Sequence, residues 1–287
     1  MIETICVIGV GLIGGSLARA LRKQGWCKTI IGIDAQQSTV DEALKLGVID
    51  KGFTNIQDCA VVPDVVVIAV PVLKFEKIFE KLSPWVSQCK AITDVGSTKQ
   101  NVIEDFERVF PQLGSHCFVP GHPIAGRERS GVQAAVDDLF ENRKVILTPT
   151  HGTRSDSIDL IAAMWEKVGA NIEQLDAKDH DQILAATSHL PHVLAFSLVH
   201  CLSTQSRTRE IFRYAAGGFA DFTRIASSDP YVWREICLAN RDQLLNALSS
   251  FDETLNQLRE SLEASDGPAL EKMFKQAKHA RDKYTGA

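Results

Sequence analysis

No two of the seven cysteines (6, 27, 59, 89, 117, 201 and 237) are spaced Cys-x-x-Cys, and their number is odd. A disulfide framework and a cysteine zinc site are therefore not expected, and a reduced, cytoplasmic setting fits best. No apolar run approaches the roughly 20 residues that would span a bilayer. The opening stretch, MIETICVIGVGLIGG, lacks the basic region of a secretory signal. Positive charge is not in excess either. The net charge is −5, which offers no field for nucleic acid or an anionic membrane surface. Internal repeats, low-complexity tracts and long linkers are also missing.

What is present is a chain of 287 residues, 45% hydrophobic and 23% charged. That is enough for two domains of roughly 100–200 residues each. The first half alternates β-branched runs with helical stretches. The runs are TICVIGV (4–10), TIIGID (29–34), DVVVIAVP (64–71), AITDVGS (91–97) and KVILTP (144–149). They are continuously apolar, as expected of a parallel sheet covered by helices on both faces. Beyond about residue 175 the strand signals stop. Residues 177–203 read as one long helical region in which Pro191 must cause a kink or be absorbed by a locally altered helix. Leu244, Leu248, Phe251, Leu255, Leu258 and Leu262 recur at steps of 4, 3, 4, 3 and 4, a narrow helical seam that suits an internal core or a subunit interface. SDGP (265–268) supplies a cap and an early proline for a last helix. The expected fold class is α/β, a Rossmann-type dinucleotide-binding domain (1–174) followed by an all-α domain (175–287).

GVGLIG (9–14) follows the first strand and opens a helix. In that setting Gly9 permits a tight turn, Gly11 lets backbone approach a pyrophosphate, and Gly14 lets helix and strand pack closely. The free N–H groups of the helix start, around Leu12 and Ile13, then face the phosphates. Asp34 ends the second strand, where a carboxylate can accept from both ribose hydroxyls and repels a 2′-phosphate. Ala35, Gln36 and Gln37 follow it, without an arginine. NAD is expected rather than NADP. Val70 and Pro71, at the end of the third run, are further candidates for the cofactor.

A sheet half followed by a helical half places an active site in the cleft between them. Two clusters fall there, DHDQILAATSHLPH with His180, His189 and His192, and AAGGFADFTRIASSDPYVW with Arg224. The segment FVPGHPIAGRERSGV (118–132) sets His122 among prolines and glycines that limit backbone freedom.

With these residues the chain resembles the prephenate/arogenate dehydrogenases of tyrosine biosynthesis. The resemblance rests on GVGLIGGS (9–16), DVGSTK (94–99), GHPIAG with a following SG (121–131), SHLPH (188–192) and GGFADFTRIA (217–226), in order along nearly the whole chain. It implies a homodimer and an oxidative decarboxylation. Hydride leaves C4 of a cyclohexadienol for the cofactor, carbon dioxide leaves C1, and the ring becomes aromatic. His122 would accept the hydrogen bond of the 4-hydroxyl, and Ser97 would help place His122 and the nicotinamide. Arg224 would bind the ring carboxylate as a bidentate fork. His192 and His189 match pocket residues, Gly218 lies in the substrate loop, and His180 with Asp181 matches a pair at the pocket mouth acting as an ionic gate.

The match is imperfect. Arg127 stands where many relatives carry a small hydroxylated residue, and Ala220 where an arginine is common. Arg127 either reaches the substrate's side-chain carboxylate or faces water. It would favour prephenate over arogenate, whereas the neighbouring Glu128 would favour the arogenate ammonium. Prephenate is the expected substrate, with arogenate or dual use as the alternative. The resemblance leaves no room for an appended regulatory domain or a fused chorismate mutase. Two other readings are a hydroxyacid dehydrogenase of the same plan and an NAD-sensing protein without turnover. The first usually needs a lysine in the helical half, where only Lys178 stands between Lys167 and Lys272. The second would not need His122, His192 and Arg224 together.

Overall fold

The computed structural model describes residues 2–113, 116–127 and 129–284. Glu128, a candidate substrate contact, lies outside the described residues.

The first half runs β1 (Ile2–Ile8), α1 (Leu12–Lys23), β2 (Cys27–Ile33), α2 (Gln37–Lys45), β3 (Lys51–Phe53), β4 (Val65–Ile68), α3 (Phe75–Leu82), β5 (Ala91–Asp94), α4 (Gln100–Val109) and β6 (Phe118–Val119). These six strands form one parallel sheet in the order β3-β2-β1-β4-β5-β6, the doubly wound arrangement whose ligand crevice opens at the carboxyl ends of β1 and β4. The strands are apolar throughout because both faces are covered. Val65 and Val67 of β4 join one core with Leu17, Leu21 and Trp165. Val66 and Ile68 join the other with Phe75, Phe79 and Phe106. That is the alternation of a strand sandwiched between helical layers.

The run at 144–149 does not extend this sheet. β7 (Gly121–Pro123), β8 (Lys144–Leu147) and β9 (Asn171–Gln174) form a second, three-stranded sheet, with β7 antiparallel and β9 parallel to β8. The chain changes sheet at Pro120, which has no N–H to continue a ladder and whose carbonyl accepts from Thr148 N at 2.9 Å. α5 (Ser155–Lys167) lies between β8 and β9 in sequence. The short β3, β6, β7 and β9 were not among the expected runs.

Helices follow: α6 (Ala177–Leu184), α7 (Leu190–Ser203), α8 (Thr208–Arg213), α9 (Gly217–Thr223), α10 (Pro230–Ala239), α11 (Arg241–Glu263) and α12 (Gly267–Tyr284). α6 and α7 are joined without a break by a π turn at 185–189. The wider turn lets Pro191, which can donate no backbone hydrogen bond, enter near the start of α7. The resulting helical stretch, Ala177–Ser203, has a mean hydropathy of 1.3 in its most apolar window. By length and composition it could cross a bilayer, unlike anything read from the sequence. Yet it carries buried His180, Asp181 and His189, which bond to residues elsewhere in the same compact unit.

Residues 1–241 form one compact unit and 242–287 another. In the second unit the α12 start is capped as expected, Asp266 Oδ1 accepting from Ala269 N at 2.9 Å. Of the seam residues, Leu244 is buried, whereas Leu255 and Leu262 are exposed.

Gly14 bears directly on the crevice. A Cβ there would stand 2.1 Å from the Gly9 carbonyl oxygen and 2.8 Å from Val7 Cγ1, so helix α1 rests on β1 only without a side chain. Gly14→Ala is expected to destabilise the protein by roughly 1–3 kcal/mol, as overpacking does, read as a lowered urea midpoint. An unchanged midpoint would show that α1 can shift freely.

Candidate active site

The crevice is built from three strand ends. Gly9, with φ +92°, turns the chain after β1, and a Cβ on it would meet the Ala69 carbonyl oxygen at 2.3 Å. Gly11 has nothing within 4 Å of where its Cβ would be. It leaves an open cradle over the first turn of α1, where Leu12 and Ile13 start the helix. Val70 and Pro71 follow β4 and are half-buried, Val70 Cγ1 lying 3.0 Å from the same Gly9 position. Asp34 ends β2. Its Oδ2 accepts from Val10 N at 3.1 Å and its Oδ1 from Gln36 N at 3.0 Å. The carboxylate is thus aimed beside the glycine turn, with lone pairs to spare. A glycine cradle, a helix N-terminus and an oriented acid fit a dinucleotide with a free ribose diol.

The chemical centre lies one strand over. Asp94, at the end of β5, and Lys99, at the start of α4, are both fully buried and form an ion pair. The carboxylate also accepts from Gly96 N (2.8 Å) and Gly121 N (3.0 Å), and Lys99 Nζ donates to the Gly121 carbonyl at 2.7 Å. Burial pushes the Asp94 carboxyl up and the Lys99 ammonium down, each opposed by the partner's charge. The pair grips Gly121 from both sides and so holds His122, the next residue of β7.

His122 is largely buried, and its Nδ1 lies 2.9 Å from His180 Nε2. His180 Nδ1 lies 2.8 Å from Asp181 Oδ1. Asp181 accepts in addition from Lys99 N (2.8 Å) and Gln100 N (2.9 Å), the first donors of α4. Burial pushes the Asp181 carboxyl up, but the bonds from His180, Gln100 and Lys99 outweigh it and hold it below the usual carboxylate range. His122 is driven well below the ordinary histidine value by burial, then by His180, Lys99 and His189. It is a neutral imidazole at physiological pH. His180 and Asp181 do not lie open at a pocket mouth. They are closed inside the protein against α4, with His180 0% and Asp181 1% exposed.

His189 is the last residue of the π turn. Its Nδ1 accepts from Asn240 Nδ2 at 3.1 Å, and the same amide donates to the Asp181 carbonyl at 2.8 Å. Its buried Nε2 faces the Ser97 carbonyl without a full hydrogen bond, which brings half-buried Ser97 to the same place. His192, one turn on, has Nδ1 at 2.9 Å from the Ser188 carbonyl. It lies flat on Trp233 of α10, centroids 3.6 Å apart and 18° between planes. Its Nδ1–H is committed, so Nε2 is the free acceptor. Burial lowers its proton affinity first, the Ser188 bond opposes this, and the Arg224 charge lowers it further. Arg224, just after α9, is exposed. Gly218, near the start of α9, is exposed and uncrowded. Arg127 points elsewhere. Its guanidinium lies 3.8 Å from Asp138 Oδ1, in an outer groove with Arg19, Arg22 and Lys23.

Asp94, Lys99, Asn240 and Trp233 had no assigned role in the sequence reading. Asp94 and Lys99 bracket DVGSTK, and charges closing a loop after an apolar strand were a usable signal. Trp233 and Asn240 carried none, because α10 brings them in from 41 to 51 residues beyond the histidines they touch.

The nucleotide-binding domain of prephenate dehydrogenase matches residues 17–174, and its dimerization domain matches 176–276. The chain belongs to the prephenate dehydrogenase family. A prephenate dehydrogenase of Bacillus subtilis is 39% identical over 98% of this chain and 76% of its own length. A cyclohexadienyl dehydrogenase of Zymomonas mobilis is 38% identical over 96% and 94%. The fold agrees with a crystal structure of the A. aeolicus prephenate dehydrogenase in complex with hydroxyphenyl propionate and NAD+. Its TM-score is 0.92 at 38% identity, covering 99% of this chain and 98% of that one. As family members do, the protein works as an NAD-dependent dehydrogenase.

Removing Lys99 leaves Asp94 buried without its counter-ion, so Lys99→Met should cost about 3–5 kcal/mol. Adding Asp94→Asn should recover part of that loss in urea titrations, and a double variant no better than the single would refute the pairing. Acid acts on a second group. Burial pushes His189 down to about 4, below its unfolded value of about 6.5. Between these values the unfolded chain binds the extra proton, so stability is present above pH 6.5 and lost towards pH 4. The His189 share is on the order of 3 kcal/mol. His189→Gln should flatten the fall in urea midpoint between pH 7 and 4.5, and an unchanged slope would contradict the assignment.

Proposed function

We propose that the protein oxidatively decarboxylates prephenate to 4-hydroxyphenylpyruvate with NAD. The observation that carries this reading is His122, a buried imidazole kept neutral, with one nitrogen engaged by His180 and the other available. Such a group accepts the hydrogen bond of the 4-hydroxyl as the hydroxyl becomes a carbonyl. Bound NAD supplies the acceptor for the C4 hydride. Gly9, Gly11, Leu12, Ile13, Gly14, Val70 and Pro71 would hold its pyrophosphate side and Asp34 its ribose, with Ser97 beside the nicotinamide.

Arg224 supplies the permanent positive charge for the ring carboxylate, and a guanidinium fork suits a carboxylate better than an ammonium would. His192 and His189 line the helical side, with Gly218 in the adjoining loop. Pro120 and Pro123, with the grip of Asp94 and Lys99 on Gly121, limit the motion of His122, as a group that must meet a reacting oxygen requires. Prephenate is favoured over arogenate because Asp181, the carboxylate beside these histidines, spends both oxygens on protein donors and is not free to receive an ammonium. A second reading, use of both substrates, is favoured by the near-equal identity to the cyclohexadienyl dehydrogenase of Zymomonas mobilis.

We also assign residues 1–174 to the nucleotide and 175–287 to substrate and subunit contacts, in line with the matched domains. A cytoplasmic homodimer fits that match, and exposed Leu245, Leu255, Leu262 and Phe274 on α11 and α12 offer apolar surface for it. No nucleic-acid or membrane partner is part of this reading.

Reduced cofactor should appear at 340 nm with NAD and prephenate, and more slowly or not at all with arogenate. Folded protein that turns over neither would refute the assignment and leave an NAD-binding protein. His122→Asn should lower kcat about 100-fold or more, the scale of a lost acid–base group, with the Kd for NAD within a few-fold. Loss of both would make His122 structural.

A further inference from the structure

The hydrogen bonds behind His122 form a directed chain, and counting donors fixes its direction. Asp181 receives the Lys99 and Gln100 backbone N–H groups, and both are obligate donors. A carboxylate so placed is ionised and can only accept. The His180 nitrogen facing it, Nδ1, must therefore carry a proton. In neutral His180 the other nitrogen, Nε2, is then a bare lone pair. It faces His122 Nδ1, so that nitrogen must donate. His122 is left with its proton on the inner side and an unprotonated Nε2 on the outer side. Any other arrangement of two neutral rings sets two N–H groups, or two lone pairs, against each other in a buried contact, at the cost of a lost hydrogen bond and more. Burial lowers the proton affinity of His180 and so disfavours the doubly protonated ring that could donate to both neighbours.

We propose that His180 and Asp181 are positioning residues that act through His122. Asp181 sets the tautomer of His180, and His180 sets that of His122, keeping Nε2 bare for the substrate hydroxyl. Asp181 also supplies the negative charge that balances His122 while it is protonated. The proposal rests on the reaction assigned above, whose proton balance gives the chain its use. As the C4 hydride departs, the O4–H bond breaks, its proton passes to His122 Nε2, and the C4–O double bond forms. The C1–carboxylate bond then breaks, and its electron pair moves through the ring to O4 as carbon dioxide leaves. The phenolate so formed takes the same proton back from Nε2. No proton is gained or lost overall, so His122 must hold one briefly without an exit. The chain behind it supplies no exit, since it ends at Asp181 on amide N–H groups, the backbone of Lys99 and Gln100 and the Gln100 side chain. The charges facing the two imidazoles are Asp181 on α6, Lys99 and Asp94 at the β5–α4 segment, and neutral His189 at the end of the π turn. Asp181 is the anion joined to His122 through hydrogen bonds.

The test is made first on the cofactor-free protein, by long-range 15N–1H correlation of the imidazole rings. Wild type is expected to show both His122 and His180 protonated at Nδ1 and bare at Nε2. A His122 protonated at Nε2 would overturn the proposal whatever the activity. Asp181→Asn can present an amide N–H to His180 and so reverse both rings. It should move the His122 proton to Nε2 and lower kcat with prephenate by 100-fold or more, the direction known when a triad carboxylate becomes an amide, with KM little changed. An unaltered tautomer with kcat within threefold of wild type would overturn it.

Should that variant fail to fold, His180→Gln and His180→Phe decide. Glutamine can donate to Asp181 and accept from His122, whereas phenylalanine fills the space and does neither. His180→Gln should keep the His122 tautomer and at least tenfold more kcat than His180→Phe. Equal kcat with the same His122 tautomer in both would reduce His180 to packing. If wild type turned over neither substrate, the reaction assignment would fail on its own, because the tautomer is read without substrate.

Discussion

The site depends on one buried ion pair. Asp94 closes β5, Lys99 opens α4, and both are fully buried. Removing two charges from water costs several kcal/mol each, and attraction alone rarely repays it. Here the remaining valences are filled by Gly96 N, Gly121 N and the Gly121 carbonyl. The pair therefore joins the parallel sheet to the three-stranded sheet at the residue before His122. It leaves no room for bulk at the loop either, since a Cβ on Gly96 would stand 2.9 Å from Asp94 Oδ2. The cost is met with connectivity: one contact sets where the second sheet begins and where its histidine stands.

The electrostatics around His122 follow from that choice. A buried ammonium nearby opposes a second positive charge, and burial opposes it too. The imidazole is thus neutral before any substrate arrives. Asp181 stays ionised in the same surroundings because it caps the first N–H groups of α4, where the helix end favours a negative charge. α4 thus does two jobs at its first turn, holding Lys99 under the strand and Asp181 under His180. The π turn at 185–189 continues the logic on the helical side. It lets α6 and α7 run on past Pro191 and turns His189 and His192 onto Asn240 and Trp233.

The fold class was legible in the sequence because its signals are local. Continuous apolar runs of four to seven residues at β1, β2, β4 and β5, and a glycine turn that tolerates no Cβ at Gly9 or Gly14, each report their own surroundings. β3, β6, β7 and β9 were not legible, being two to four residues long and shaped by pairing partners far along the chain. The same division holds in the site. His122, Ser97, His189, His192 and Arg224 stood out through motifs. Most of what they touch did not, because the contacts that assemble the site join residues far apart along the chain, such as Trp233 with His192, His122 with His180 and Asp181 with Lys99. His180 and Asp181, expected at a pocket mouth from the resemblance, are buried instead, and burial belongs to the tertiary structure.

Arg224 and the histidines divide the work by what each can do at neutral pH. Burial keeps His122, His189 and His192 below their ordinary proton affinity, so none of them can supply a lasting positive charge for an acidic substrate. A guanidinium cannot be deprotonated under the same conditions, and an exposed position after α9 spares it the desolvation that a buried cation would suffer. The cation therefore stands at the rim and the neutral bases inside. On the proposed reading, the permanent charge for an acidic ring and the neutral base for its hydroxyl are carried by different residues, which is what lets a buried imidazole remain uncharged in a site that must also attract an anion.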